Sequence, residues 1–265
     1  MTTRRTRGIV LAIAPHAESD KLVTFYSPDM GLVTGIAKGA KRSKHRFVNK
    51  LEEFTLLSIL YRPPRSGGLL FLSEADLDNA FLTLRRDYPR YTTAMFVAEL
   101  VLRFTREHDP DPGIFTLLHW ALFSLDKGVQ PQRIAALFLL RLLGLAGYQP
   151  GLGTCTLCRR PISAQLRYRL DPASGSLTCS LCRPEAYAAS GQALSLQTIR
   201  FLQQAQQLEL RLLRRLQMPA RAAGETINTL TAYARHLLQQ DIHSRRFLPL
   251  AGIRNCRSAP AVPRH

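Results

Sequence analysis

Three observations predict that this sequence folds as an α+β protein. Its first 80 residues hold five short apolar runs separated by turn signals. Beyond them, apolar residues recur at helical spacing. Two Cys-x-x-Cys pairs interrupt that helical part.

The strand-like runs come in order. Gly8–Ile13 is followed by a polar break over Pro15–Asp20, then by Lys21–Tyr26, the turn Ser27-Pro28-Asp29-Met30-Gly31, and Leu32–Ala37. After the basic stretch Lys38–Lys50, Glu53–Tyr61 and Leu69–Ala75 flank a loop rich in Pro and Gly. Five short strands need closure to protect their edges, and a five-stranded OB-type barrel supplies it, with an SH3-like barrel as the alternative. The insertion between the third and fourth strands is where an OB fold places a helix.

After Asp76 the period lengthens. Arg90–Thr105 reads as a helix on Met95, Phe96, Leu100, Val101 and Phe104. Asp111 is placed to cap the next helix, with Pro112 in its first turn. Ile114–Leu125 and Pro131–Leu145 follow, the latter ended by Gly147. The sequence then turns irregular through the cysteines, and Ser195–Gln217 and Gly224–Gln240 read as two late helices separated by Met218-Pro219. The domain organisation expected is a barrel at 1–80, a helical domain at 81–250 with a metal module at about 148–190, and a flexible basic tail at 251–265.

Composition narrows the function. The 265 residues are 46% apolar, enough for a sizeable core. Lys and Arg number 36 against 19 Asp and Glu, a formal charge of +17. Such a surplus points to a polyanionic partner, and the predominance of Arg suits phosphate because its planar fork bonds two oxygens at once. The surplus is spread along the chain: 12 basic and 8 acidic side chains in residues 1–80, 13 and 8 in 81–194, and 11 and 3 in 195–265. No apolar stretch is long enough to span a membrane and no signal-peptide pattern opens the chain, so a cytoplasmic protein without a membrane partner is expected.

Cys155-x-x-Cys158 and Cys179-x-x-Cys182 carry the strongest chemical signal. Each turn aims two sulfurs at one point, and the hairpin expected between them brings the turns together as a tetrahedral cage suited to zinc. Four thiolates leave no open position, so the expected role is structural. Arg159, Arg160 and Arg183 stand beside it, to offset the cage charge or to meet phosphate. The second signal is the run Lys38, Lys41, Arg42, Lys44, His45, Arg46 and Lys50, 13 residues without one acid. Gly35 and Gly39 would let backbone approach a ligand, and Phe47 offers a ring for a base. The bland reading of this run is a solvated loop. The third is Arg200, Arg211, Arg214 and Arg215, with Arg221 and Arg235, which are either a binding track or the wet faces of the late helices.

Several chemistries lack their motifs. There is no G-x-x-x-x-G-K-[ST], no H-E-x-x-H and no G-x-S-x-G, and the acids do not converge as a two-metal centre requires. The sequence thus reads as a binding protein, not an enzyme. A zinc-ribbon OB-fold RNA-binding factor fits charge, barrel and cysteines equally well.

The stretch Gly31-Leu32-Val33-Thr34 with Ala37-Lys38-Gly39-Ala40-Lys41-Arg42, and Leu145-Ala146-Gly147-Tyr148-Gln149-Pro150 ahead of the cysteines, resembles the RecO family of bacterial DNA repair proteins. The resemblance runs from about Thr6 to Leu248. It implies a recombination mediator of the RecF pathway that binds single- and double-stranded DNA and anneals complementary strands without ATP. It further implies work with RecR, contact with the acidic tail of single-strand-binding protein, and help in loading RecA. On that resemblance the four cysteines match the family's zinc positions, and Lys38, Lys41 and Arg42 fall in its basic barrel segment. Some family members lack the cysteines, which implies that zinc serves stability. The tail with Cys256 matches nothing in the family.

Overall fold

The computed structural model describes residues 3–63, 68–184 and 193–248. The tail expected at 251–265, with Cys256, lies outside the described residues.

Five strands form a closed barrel: β1 (Arg4–His16), β2 (Asp20–Ser27), β3 (Gly31–Ala37), β4 (Leu56–Arg62) and β5 (Leu70–Asn79), in the order β1-β2-β3-β5-β4. β1 is long enough to pair with β4 through its first half and with β2 through its second. A register shift between Val10 and Ala12 lets it bend between the two partners. The β3–β5 pairing is parallel, as expected of an OB barrel. Val10, Val23, Phe25, Val33, Leu57, Ile59 and Leu72 fill the interior.

The insertion between β3 and β4 carries no α-helix, contrary to expectation. It forms a single 3-10 turn, Ala40–Arg42, and then irregular chain. Its polar residues offer no apolar stripe to seat a helix. Phe47 and Leu51 instead turn inward and join the barrel core.

The opposite barrel face packs on helices. Ile9, Leu11, Tyr26, Leu32 and Leu56 share one apolar cluster with α1 (Tyr88–Phe104), α2 (Pro112–Asp126) and α3 (Pro131–Leu145). Asp87 caps α1 through the Arg90 N–H, and Asp111 caps α2 through Gly113 and Ile114. β6 (Tyr168–Asp171), β7 (Ser176–Cys179) and β8 (Ala193–Leu194) make a small sheet. The single helix expected over Ser195–Gln217 is broken. α4 spans Leu196–Gln207 and a short α5 spans Leu210–Leu213. The Arg141 guanidinium donates to the carbonyls of Ala205, Gln206 and Leu208 and so satisfies the end of α4. The last helix, α6 (Ala220–Leu238), starts one residue after Pro219 and packs across α3. Among the described residues no helix is long and apolar enough to cross a membrane.

Candidate metal centre and nucleic-acid interface

The two cysteine turns are tied to one another by backbone. Thr156 N–H donates to the Leu177 carbonyl at 2.8 Å, and Gly151 and Leu177 are linked in the same way at 3.2 Å. Within the first turn, Arg159 N–H returns to the Cys155 carbonyl at 2.8 Å, with Arg159 in the left-handed region at φ 59°. In the second, Cys182 and Arg183 N–H groups return to the Cys179 carbonyl. Gly175, φ 62°, lies at the β6–β7 tip where any Cβ would overlap the Tyr233 ring of α6. The module is thereby seated on the helical core.

All four sulfurs lie within 4.8 Å of one another. The separations are 3.6 Å for Cys179–Cys182, 3.8 Å for Cys158–Cys179 and 3.9 Å for Cys155–Cys182. A tetrahedron with metal–sulfur bonds of about 2.3 Å has edges of about 3.8 Å, so the donor set fits a tetrahedral thiolate-binding ion. All four cysteines are free, their sulfurs standing well beyond the length of a disulfide bond, about 2.05 Å. Cys155 and Cys179 are buried, while Cys158 and Cys182 are half-buried.

Burial pushes the Cys155 thiol up, but the N–H groups of Cys158, Cys179 and Leu157 outweigh it and hold the group at about 6. Cys182 is pushed up to about 12, chiefly because it shares its proton with the Cys158 and Cys179 sulfurs. Protein groups alone therefore stabilise charge on one sulfur and oppose it on the next. A divalent cation bound among them would allow all four to ionise together. The side chains of Arg159, Arg160 and Arg183 are exposed beside the cluster, and none pairs with a carboxylate among the described residues.

The basic barrel segment is presented by a clasp. Asp20 accepts from Gly39 N–H at 2.8 Å, Lys41 N–H donates to the Ser19 carbonyl at 2.9 Å, and Lys41 Nζ reaches the Ala17 carbonyl at 3.0 Å. The Gly39 N–H is also the main reason the Asp20 carboxyl sits below its ordinary range. Lys38, Lys41, Arg42, Lys44 and Arg46 are exposed. Arg42 meets Glu18 at 3.7 Å with both side chains largely in water, a contact too weak to neutralise either. Lys50 differs: it is half-buried and paired with Asp76 at 3.6 Å.

Two expected features are corrected. Phe47 is 3% exposed, so its ring is closed to a base. Gly35 sits where a Cβ would strike the Leu72 side chain, so it serves barrel packing and not ligand approach. On the described barrel strands, the aromatic that faces outward is Phe71, half-buried, with the Arg62 guanidinium 5.8 Å from its ring centre. The signal for it was strand alternation, because Leu70 and Leu72 on either side point into the core.

The late-helix arginines divide. Arg211 pairs with Glu209 at 2.5 Å, and Arg214 lies over the Phe123 ring at 5.6 Å. Arg221 pairs with Glu225 and Arg235 with Asp241. Arg200 and Arg215 are exposed, and neither pairs with a carboxylate among the described residues.

A family model described as "Recombination protein O N terminal" matches residues 1–81, and one described as "Recombination protein O C terminal" matches residues 85–246. The chain is 32% identical to the DNA repair protein RecO of Syntrophus aciditrophicus over 93% of this chain and 95% of that one. It is 34% identical to the DNA repair protein RecO of Anaeromyxobacter dehalogenans over 95% and 98% of the two chains. To the protein of that name in Syntrophobacter fumaroxidans it is 36% identical over 68% and 71%. A barrel of OB type, a helical region behind it and a four-cysteine cluster thus occur in a chain that belongs to the RecO family of DNA repair proteins.

Proposed function

We propose that this protein is a non-catalytic DNA-binding mediator of recombinational repair, which anneals complementary strands without ATP. The observation that carries this is the cluster of exposed cations, Lys38, Lys41, Arg42, Lys44 and Arg46, held on the barrel by the Asp20–Gly39 clasp. Two strands repel one another through their phosphates. A cationic surface that grips backbone lowers this barrier and leaves base edges free to pair. Phe71 beside Arg62 supplies the flat face for an unpaired base. Arg159, Arg160, Arg200 and Arg215 extend the cationic surface over the helical region, with Lys50, Arg211 and Arg214 engaged in contacts of their own. No step needs a nucleotide, in keeping with the lack of a phosphate-binding glycine loop.

The ion held by Cys155, Cys158, Cys179 and Cys182 is zinc in this reading, and it stabilises the fold without touching DNA. The partners are single- and double-stranded DNA, RecR, and the acidic tail of single-strand-binding protein, with RecA loaded as the outcome, in the cytoplasm at the nucleoid. The test is RecA filament assembly on a single strand coated with single-strand-binding protein, in the presence of RecR. Addition of this protein should shorten the lag. An unchanged lag, together with tighter binding to RNA than to DNA of matched sequence, would replace the reading with that of an RNA-binding factor.

A further inference from the structure

α6 and the 3-10 turn His243–Phe247 border an open depression of about 420 Å³. Arg235, His243, Arg245 and Arg246 line it, and Asp241 is its single acid. Asp241 is engaged by Arg235 at 2.6 Å. Arg245 is half-buried, and its one hydrogen-bond partner given by the described residues is the neutral Asn228 Oδ1. No carboxylate lies within ion-pair distance of Arg245 or Arg246 among the described residues. The Thr231 hydroxyl in the same wall is buried without a hydrogen-bond partner.

A half-buried guanidinium that finds no counter-ion among the described residues is costly, and burial holds Arg245 below the ordinary arginine range. The turn that carries it is nonetheless held rigidly. The Glu99 carboxylate of α1 accepts from the N–H of His243 at 2.9 Å and of Ser244 at 2.7 Å, from the Ser244 hydroxyl, and from Arg103. The Arg245 fork is therefore fixed in place with donors to spare. That is the arrangement an incoming oxyanion requires.

We propose that this pocket is a phosphate site, with Arg245 as its central donor and Arg246 at its rim, and that its occupant is a phosphodiester of a DNA strand. The occupant rests on the DNA-binding reading above; the oxyanion site itself does not. Its lining comes from α6 and the His243–Phe247 turn and holds none of the barrel cations, so it would give a strand a second point of attachment.

The test uses the full chain and Arg245→Gln, whose amide can still donate to Asn228, with Arg246→Gln as a second variant should the first fail to fold. Inorganic phosphate should raise the melting temperature of the unmodified protein and leave that of the variant unmoved. The slope of log affinity against log salt for a labelled oligothymidine should fall by about 0.7 in the variant, the value for one lost phosphate contact on a single strand. Equal phosphate protection of both proteins would overturn the site. Protection confined to the unmodified protein with an unchanged slope would overturn the DNA strand as occupant and favour an acidic peptide or free phosphate. If the unmodified protein bound no DNA, the functional reading would fail while the phosphate arm still judged the pocket.

Discussion

The Tyr26 hydroxyl meets the backbone of Asp111 twice. It accepts from the Asp111 N–H at 3.1 Å and donates to the Asp111 carbonyl at 3.3 Å. Tyr26 is fully buried on β2, and the Asp111 side chain caps α2 through Gly113 and Ile114. One residue of the barrel thus fixes the start of a helix, while His108 N–H donates to the Leu32 carbonyl at 3.0 Å nearby. Gly31, φ 69°, makes the approach possible, because a Cβ there would overlap the Asp109 carbonyl.

Removing the hydroxyl leaves both backbone groups short of a partner. Tyr26→Phe should cost about 1–3 kcal/mol of stability, read from urea unfolding. Gly31→Ala should cost more, since it adds a steric overlap to an unfavourable backbone conformation. A Tyr26→Phe protein as stable as the parent would show that the contact carries no weight.

On the zinc reading, loss of the metal should act on stability and spare DNA binding by the barrel cations. Cys179→Ser removes one of two buried ligands, and the purified variant should hold well under one equivalent of zinc by elemental analysis. A loss of about 3 kcal/mol would lower Tm by roughly 6–12 °C at this chain length. Oligonucleotide affinity at low temperature should fall no further than in an Arg159→Ala, Arg160→Ala variant, since the barrel cations stay in place.

Acid should loosen the His243–Phe247 turn. Burial raises the Glu99 pKa, but hydrogen bonds from Ser244 and His243 and the charge of Arg103 outweigh it, and the net shift is below the ordinary 4.5. A carboxyl depressed on folding contributes stability that is complete above its unfolded pKa and is lost as pH falls through the folded one. Stability should therefore decline below about pH 4.5. Glu99→Gln should be less stable at neutral pH and show a shallower decline, measured by urea titrations at several pH values.

Phe71→Ala should weaken single-strand binding several-fold, consistent with a stacking contribution of about 1–3 kcal/mol at most for a half-exposed ring. Duplex affinity, which offers no unpaired base, should hold. Equal losses on both ligands would mean that the change acts through the barrel and not through stacking.

Much of this was legible in the sequence because it is local. The turn ending at Gly31, the Asp111 cap and the paired cysteines each announce themselves within a few residues. What was missed depends on residues far apart in the chain. Nothing near Leu208 signals a helix end, since the apolar periodicity continues; the cause is Arg141, 67 residues earlier. Phe47 lies in a basic run and looks exposed, yet the open end of the barrel needs an apolar plug. From sequence Tyr26 reads as a core aromatic or a weak stacking candidate, and only its partner 85 residues away shows what its hydroxyl does. Arg245 and Arg246 stood in an acid-poor stretch, but only folding shows that one of them is half-buried.

The most direct test of the account is ATP-free annealing of two complementary, labelled oligonucleotides across a salt series, by the unmodified protein and by a Lys38→Ala, Lys41→Ala, Arg42→Ala variant. The account predicts fast annealing that fades as salt rises, and a variant that anneals slowly with a salt slope shallower by about 2, for three lost contacts. Annealing by the variant at the parent rate and with the parent slope would contradict it.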